Sequence, residues 1–501
     1  MMPSSRQSVA PISADCEGAP LVKPSGFREY DARWLYGSEI NAAGFRALGL
    51  GLGTLLHLRG VRPHIVAGHD YRSYSTEAKD ALAAGLLAAG CTIYDVGLVI
   101  TPIAYFAQFY LDVPAVAMVT ASHNENGWTG VKMGIERPFT FGPDDMTVLK
   151  EIVLGGNSVE RGGGSVVDAR DVSGRYMDDL TPGASLTRRL KVVVACGNGT
   201  AGLFAPEVLE RAGCDVITLD CELDDTFPNY NPNPEDLRML SAASDAVKKN
   251  KADLALCFDG DGDRCGVIDN EGNVIFADTV GVLLARHFAA TVKDALFIAD
   301  VKSTALFGAD PLLSSLGARC EYWKTGHSHM KRRIAEQGAL AGFEKSGHYF
   351  FQPPIGRGYD DGLLAALEIL RLLDQAPGKS MADLHRELPR TWVTPTMSAH
   401  CADDIKHKIV QRLMDYFETL LGAGSSIGGQ ALTELITING VRFGLADGSW
   451  GLVRASSNKP ELVVVCESPV SHLSMLALVH VIRSHLETYP EVGELKQVPS
   501  P

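Results

Sequence analysis

Two short segments, far apart in a chain of 501 residues, carry residue types that could do chemistry together. Thr120-Ala121-Ser122-His123-Asn124 offers a hydroxyl that a phosphoryl group could occupy, beside an imidazole and an amide. Asp259-Gly260-Asp261-Gly262-Asp263-Arg264 places three carboxylates within five residues. Their mutual repulsion asks for a compensating cation, and the two glycines let the backbone wrap closely around one. An all-oxygen set suits magnesium better than zinc, and the absence of a glutamate at the twelfth position argues against an EF-hand. Together the segments suggest metal-assisted phosphoryl transfer through a serine, with Ser122, Asp259, Asp261 and Asp263 as candidate metal ligands.

Apolar strands must deliver both loops. Ala115 to Val119 leads into the serine segment, with Lys132 ten residues beyond Ser122, and Leu254 to Phe258 leads into the acidic one, with Cys265 to Ile268 leaving it. The same strand-loop-helix grammar recurs at Val192 to Cys196, where Gly197-Asn198-Gly199-Thr200 precedes a predicted helix over Ala201 to Ala212. It recurs at Ala295 to Ala299 and at Cys320 to Trp323, the latter followed by Lys324-Thr325-Gly326-His327-Ser328 and a helix ending near Gly338. After Leu388-Pro389-Arg390 the pattern changes. An amphipathic stretch from Asp403 to Leu421 precedes strands separated by Asn439-Gly440 and Asp447-Gly448, which are hairpin signals. The chain therefore reads as repeated α/β layers followed by a mainly antiparallel α+β domain. Glycine-rich 155–164 and the turn at Asn270 to Asn273 are further candidate seams.

The length exceeds what one core supports and points to several domains. Hydrophobic content of 46% with 21% charged residues is that of a globular chain without a bilayer-spanning run. A net charge of -14 disfavours nucleic acid and anionic membrane as partners, so an anionic substrate needs a locally basic pocket. Ten cysteines without a CxxC pair fit reduced core thiols in a cytoplasmic protein. Residues 1–21 read as a disordered tail rather than a signal peptide.

Two further segments complete an ordered set: Glu344-Lys345-Ser346-Gly347-His348 and Arg454-Ala455-Ser456-Ser457-Asn458-Lys459-Pro460. With Thr120 to Asn124 and Asp259 to Arg264, they make the chain resemble the α-D-phosphohexomutase superfamily, most closely its phosphomannomutase/phosphoglucomutase branch, from about Gly26 to the late 480s. The resemblance implies an α/β, four-domain, heart-shaped architecture. Three related α/β domains with mixed sheets (22–173, 174–274 and 275–390) would be joined by a C-terminal α+β domain (391–501), each giving one loop to a central active-site cleft. A monomer or weak homodimer is expected.

The resemblance also implies an enzyme that interconverts hexose 1-phosphate and hexose 6-phosphate, of mannose, glucose or both, through phosphorylated Ser122 and a 1,6-bisphosphate. It would use one magnesium per chain and hexose 1,6-bisphosphate as activator. Arg33, Lys132 and Arg264 would stabilise the transferring group, and His123 would orient it. His348 and His327 are candidates for acid/base work. Tyr30, Lys302 and Lys324 would line the site, Glu344 and Ser346 would read the vicinal 3- and 4-hydroxyls, and Arg454, Ser456, Ser457 and Asn458 would hold the non-reacting phosphate. Trp34 stands where the family has glycine, Lys345 where it often has Met or Gln, and Ser457-Asn458-Lys459 where it has Asn-Thr-Glu. Lys345 is expected to add a phosphate contact. A bisphosphate synthase or phosphosugar phosphatase, and a silent sugar-phosphate binding paralogue, are the alternatives.

Overall fold

The computed structural model describes residues 18–183 and 186–499, so residues 1–17 of the expected tail lie outside it. From Ala19 onward the chain is tied down: Asn41 Nδ2 donates to the Ala19 carbonyl, and its Oδ1 accepts from the Leu21 amide. Two compact units emerge. One comprises residues up to 185 with 194–233 and 258–263, and the other 186–193, 234–257 and 264–501.

In the first unit, β1 (Ala32–Leu35), β2 (His64–His69), β3 (Thr92–Leu98), β4 (Ala115–Val119), β5 (Trp128–Gly134) and β6 (Ser165–Asp168) form a sheet in the order β1-β5-β4-β2-β3-β6. The β4-β2-β3-β6 pairings are parallel, while β5 runs antiparallel to β4 and β1. β4 is buried at all five positions, which is why it reads as an unbroken apolar run rather than an alternating one. Glycine-rich 155–164 leads into β6, so the chain stays in this sheet beyond it. The helix Ala42–Leu58 is capped by the Asn41 side chain and packs Phe45, Leu48, Leu52, Leu55 and Leu56 into the core. It meets the helix Ser75–Ala88 backbone to backbone. A Cβ on Gly49 would lie 2.0 Å from the Leu82 carbonyl oxygen, and one on Gly85 2.0 Å from that of Arg46.

β7 (Lys191–Ala195), β8 (Asp215–Leu219), β9 (Leu254–Phe258), β10 (Cys265–Asp269) and β11 (Val274–Ile275) form a sheet in the order β11-β10-β9-β7-β8. The predicted helix over Ala201 to Ala212 is two pieces, a 3-10 turn Thr200–Leu203 and an α-helix Ala205–Arg211. Pro206 fits the break: it has no amide hydrogen to bond back to the preceding turn, and it sits in the first turn of the second piece, where that hydrogen is not needed.

In the second unit, β12 (Leu296–Asp300), β13 (Arg319–Trp323), β14 (Ala341–Phe343) and β15 (Tyr349–Phe351) form a mixed sheet ordered β13-β12-β14-β15, with only the last pairing antiparallel. The C-terminal sheet is antiparallel. It comprises β16 (Trp392–Val393), β17 (Met397–His400), β18 (Ser426–Ile427), β19 (Gln430–Ile436), β20 (Val441–Leu445), β21 (Trp450–Ala455), β22 (Glu461–Ser468) and β23 (Leu495–Lys496). Gly440 and Gly448 take left-handed φ of 92° and 85° in the two turns where the sequence predicts hairpins. The amphipathic stretch folds as the helix Lys406–Gly422 and buries Ile409, Val410, Leu413 and Phe417. Arg442, sandwiched between the Trp450 and Tyr322 rings, donates to the Val301 and Ser303 carbonyls, while Glu467 accepts from Trp450 Nε1, Thr304 Oγ and the Ala305 amide. These contacts seat the C-terminal sheet on the loop after β12. Among the described residues, no helix is long and apolar enough to cross a membrane.

Candidate active site

β4 ends at Val119 and releases the serine loop. Ser122 is 3% exposed and adopts a left-handed φ of 52°, a conformation that costs a non-glycine residue energy and needs support. The support is local and charged. Arg72 donates to the carbonyls of Ser122 (3.0 Å) and Asn124 (2.7 Å) and to the Asp70 carboxylate, which in turn accepts from the Ala121 amide and the Ser75 hydroxyl. Arg33 donates to the Thr120 carbonyl at 3.1 Å and pairs with Asp31 at 2.9 Å. Ser122 Oγ then lies 3.2 Å from His123 Nδ1 and donates to Asp259 Oδ2 at 2.8 Å.

The acidic loop joins two fully buried strands, β9 and β10. Asp259, Asp261 and Asp263 are each 0% exposed, and one oxygen from each falls within 4.8 Å of the others. Glycine is required between them: a Cβ on Gly260 would sit 2.4 Å from the Ser122 carbonyl oxygen, and Gly262 has φ of 73°. Lys132 Nζ contacts Asp261 Oδ2 (2.7 Å) and Asp263 Oδ2, and Thr101 Oγ donates to Asp261 Oδ2 at 2.5 Å. Burial alone would raise the Asp261 pKa. The Lys132 ammonium and the hydrogen bonds from Lys132 and Thr101 overcome it and hold the carboxylate ionised, far below the usual range. Its second oxygen, Oδ1, is buried without a hydrogen-bond partner. Three buried carboxylates, a serine oxygen beside them and an acceptor left over fit a hard divalent cation.

Apart from Tyr30, the remaining candidates lie in the second unit. Arg264 Nε donates to His348 Nε2 at 2.9 Å, and His327 is buried with its ring 6.1 Å from that of His348. In the turn between β14 and β15, Glu344 Oε1 accepts from the Gly326 amide and Oε2 accepts from the Ser346 hydroxyl. Lys302 Nζ is 3.9 Å from Asp300 Oδ2. The same Asp300 carboxylate takes the Thr325 hydroxyl (2.7 Å) and the Lys345 amide (3.2 Å), joining the Lys324 to His327 loop to the Glu344 to His348 turn. Lys345, for which a phosphate contact is expected, is held by protein groups. Its side chain is buried, with Nζ 4.1 Å from the Phe276 ring centroid and 3.8 Å from Asp278 Oδ2, so the attraction of ring and carboxylate holds the charge inside the fold.

Arg454, one residue before the end of β21, places Nε on Asn439 Oδ1 (2.8 Å) and one terminal nitrogen on Ser457 Oγ (3.2 Å). Lys406 Nζ braces the loop through the carbonyls of Ser456 and Lys459. Ser456, Ser457 and Asn458 are partly exposed, and Lys459 is exposed. Lys324, half-buried, makes no ion pair among the described residues. Tyr30 is buried in the first unit. Asp70, Arg72, Thr101, Lys406 and Asn439 escaped the sequence reading, because each acts on a backbone or side chain remote in sequence.

The comparisons with known proteins agree with this geometry. Residues 24–159, 174–272 and 276–392 match the alpha/beta/alpha domains I, II and III of phosphoglucomutase/phosphomannomutase. A phosphomannomutase/phosphoglucomutase of Pseudomonas syringae pv. tomato is 36% identical over 450 residues, covering 90% of this chain and 92% of that one. The chain belongs to the phosphoglucomutase/phosphomannomutase family. A phosphoglucomutase of Neisseria gonorrhoeae is 31% identical over 88% of this chain and 92% of its own. A solved family protein from Burkholderia thailandensis superposes with a TM-score of 0.82 at 30% identity, over 95% of this chain and 100% of that one. The mixed α/β sheets with a C-terminal α+β domain are thus the family fold, and the superfamily resemblance read from four loops holds over nearly the whole chain.

Proposed function

We propose that this family member is a phosphohexomutase that reversibly interconverts hexose 1-phosphate and hexose 6-phosphate, of mannose, glucose or both. The observation that carries the reading is Ser122, held in a left-handed conformation with its Oγ hydrogen-bonded to a buried carboxylate triad. In the phosphorylated enzyme the P–Oγ bond breaks, a bond from phosphorus to the sugar O6 forms, and the proton lost by that hydroxyl ends on Ser122 Oγ. The bisphosphate turns end for end and returns its 1-phosphate to Ser122.

Each residue group serves this cycle differently. A magnesium ion on Asp259, Asp261, Asp263 and the serine-bound phosphoryl oxygen would supply Lewis-acid stabilisation of charge there. Lys132, Arg33 and Arg264 supply fixed positive charge, which suits a transfer that depends mainly on positioning and electrostatics. Glu344 accepts from and Ser346 donates to adjacent hydroxyls shared by glucose and mannose. Arg454, Ser456, Ser457 and Asn458 take the non-reacting phosphate, with Lys302, Lys324, His327 and Tyr30 lining the site. Hexose 1,6-bisphosphate would charge Ser122 at the start, one magnesium would serve each chain, and the enzyme would work in the cytoplasm as a monomer or weak homodimer.

Incubation with hexose 1,6-bisphosphate carrying labelled phosphate, followed by peptide mapping, tests this. Label on Ser122 of the wild type and none on S122A is expected. Undiminished turnover by S122A would overturn the reading.

A further inference from the structure

The turn Gly197-Asn198-Gly199-Thr200 after β7 supplies no group to the proposed chemistry, yet it backs the loop that carries the three carboxylates. The Thr200 amide donates to the Gly260 carbonyl at 2.9 Å, and a Cβ on Gly199 would lie 2.8 Å from Gly260 Cα, so the two backbones touch. Gly260 also abuts the Ser122 carbonyl. The hydroxyl of Thr200, a buried residue, reaches a different partner and accepts from the Tyr71 amide at 3.0 Å. The next residue is Arg72, whose guanidinium holds the carbonyls of Ser122 and Asn124. One residue thus grips the acidic loop with its amide and the serine clamp with its hydroxyl. The turn is itself held. Asn198, at a left-handed φ of 62°, donates its amide to the Asp220 carbonyl (2.6 Å) and its Nδ2 to the Glu222 carbonyl (2.8 Å), which ties it to the loop after β8. That loop reaches the clamp too: Asp225 Oδ2 accepts from the Ser73 amide at 2.8 Å, and the Phe227 ring lies 5.4 Å from the Arg72 guanidinium.

We infer that Thr200 is a positioning residue that sets the gap between Ser122 Oγ and the acidic loop: its hydroxyl fixes the Tyr71–Arg72 segment, and through it the Ser122 carbonyl, relative to a Gly260 carbonyl fixed by its own amide. The inference rests on the proposed function for what that gap is used for. The stake is geometric. Ser122 Oγ meets Asp259 Oδ2 at 2.8 Å, and a displacement of about 1 Å at a reacting group can cost about 100-fold in rate even when its cause lies away from the chemistry. A threonine that merely filled space would exchange for valine, which has nearly the same shape, at little cost. A threonine that positions would not, because valine leaves the Tyr71 amide without its acceptor. The turn that the sequence places between a strand and a helix thereby acquires a task in the site, and the residue that performs it is the one after the two glycines.

Two readouts test it. T200V keeps the backbone amide and the side-chain shape and removes only the acceptor. Hydrogen exchange followed by mass spectrometry should show faster exchange in T200V for peptides covering 70–73 and 119–124, with the C-terminal sheet unchanged. No change at those peptides, or a uniform rise over the whole chain, would overturn the inference. This readout stands whether or not the chain is a mutase, so its failure is distinguishable from failure of the functional reading, which shows as no hexose phosphate conversion by the wild type. In kinetics, T200V is expected to lower kcat by about 10- to 100-fold with KM within about threefold, the pattern of an interaction felt mainly in the transition state. T200S, which restores the hydroxyl, should recover to within about threefold of wild type. In an R72M background, T200V should cost less than about threefold more, because a residue that acts through another has nothing left to position. Equal loss in T200S and T200V, or losses that multiply in the double variant, would overturn the assignment. If R72M fails to fold, the T200V and T200S pair and the exchange pattern still decide.

Discussion

The serine and acid loops of the first unit and the loop from Arg454 to Pro460 in the second differ in how they are braced. Around Ser122 the bracing side chains are buried: Arg72 clamps two carbonyls, Asp70 takes an amide and a hydroxyl, and Lys132 sits between two aspartates. The loop from Arg454 to Pro460 is anchored by Arg454 and Lys406, while Ser456, Ser457 and Asn458 remain partly exposed. The difference matches two tasks. On the proposed function, bond making and breaking needs dipoles fixed before reaction, whereas a loop that would hold first one phosphate and then the other end of a turned substrate would have to release it.

Removing the rigid end should do most damage. S122A is expected to lower mutase turnover by at least about 10³-fold, since no side chain replaces the covalent carrier. A smaller loss in steady-state assays would contradict its role. D261N, which removes a charge from the buried triad, should weaken magnesium activation by about 10- to 100-fold in a titration of activity against the metal. Chelation of the wild type should abolish turnover, and magnesium should restore it.

At the adaptable end the losses should fall on KM. R454M removes charge-assisted hydrogen bonds of about 1.5–3 kcal/mol in total and should raise KM by about 10- to 100-fold, with a smaller change in kcat. N439A, which frees Arg454 Nε without removing the charge, should raise KM by only about three- to tenfold. If N439A acted on kcat alone, the division between a rigid and an adaptable end would fail. The smallest effect concerns pH. Burial works against the Asp360 charge and Lys331 overrides it, so its pKa lies well below the ordinary carboxylate value. A depressed folded pKa stabilises the protein above the unfolded value of about 3.9, and that contribution fades as pH falls from there through the folded value. K331M removes the main cause, so its acid-unfolding midpoint, followed by circular dichroism, should move to higher pH. An unchanged midpoint would count against the pair.

Much of this was legible in the residues. The acid triad, the serine loop and the Asn-Gly and Asp-Gly turns declare themselves because their chemistry is concentrated in a few consecutive positions. Asp70 and Arg72 carry no local signal of their role, because their use as a clamp depends on carbonyls 50 and 52 positions away. Asn439 reads only as hairpin punctuation, yet its side chain also orients Arg454. Lys331 lies among His, Lys and Arg in a helix whose polar look suggests a solvated face, but it is wholly buried by its pairing with Asp360. Lys345, a charge expected to meet ligand, lies buried against Phe276 and Asp278, a placement its sequence neighbours do not announce. In each case pairing in three dimensions decides the role, and single-residue chemistry does not.

The most direct measurement is phosphorus NMR of the purified protein with magnesium, a trace of hexose 1,6-bisphosphate, and mannose 1-phosphate or glucose 1-phosphate in separate samples. Conversion to the corresponding 6-phosphate without accumulation of inorganic phosphate is the predicted result. Release of free phosphate, or no conversion of either sugar, would contradict a mutase built on Ser122.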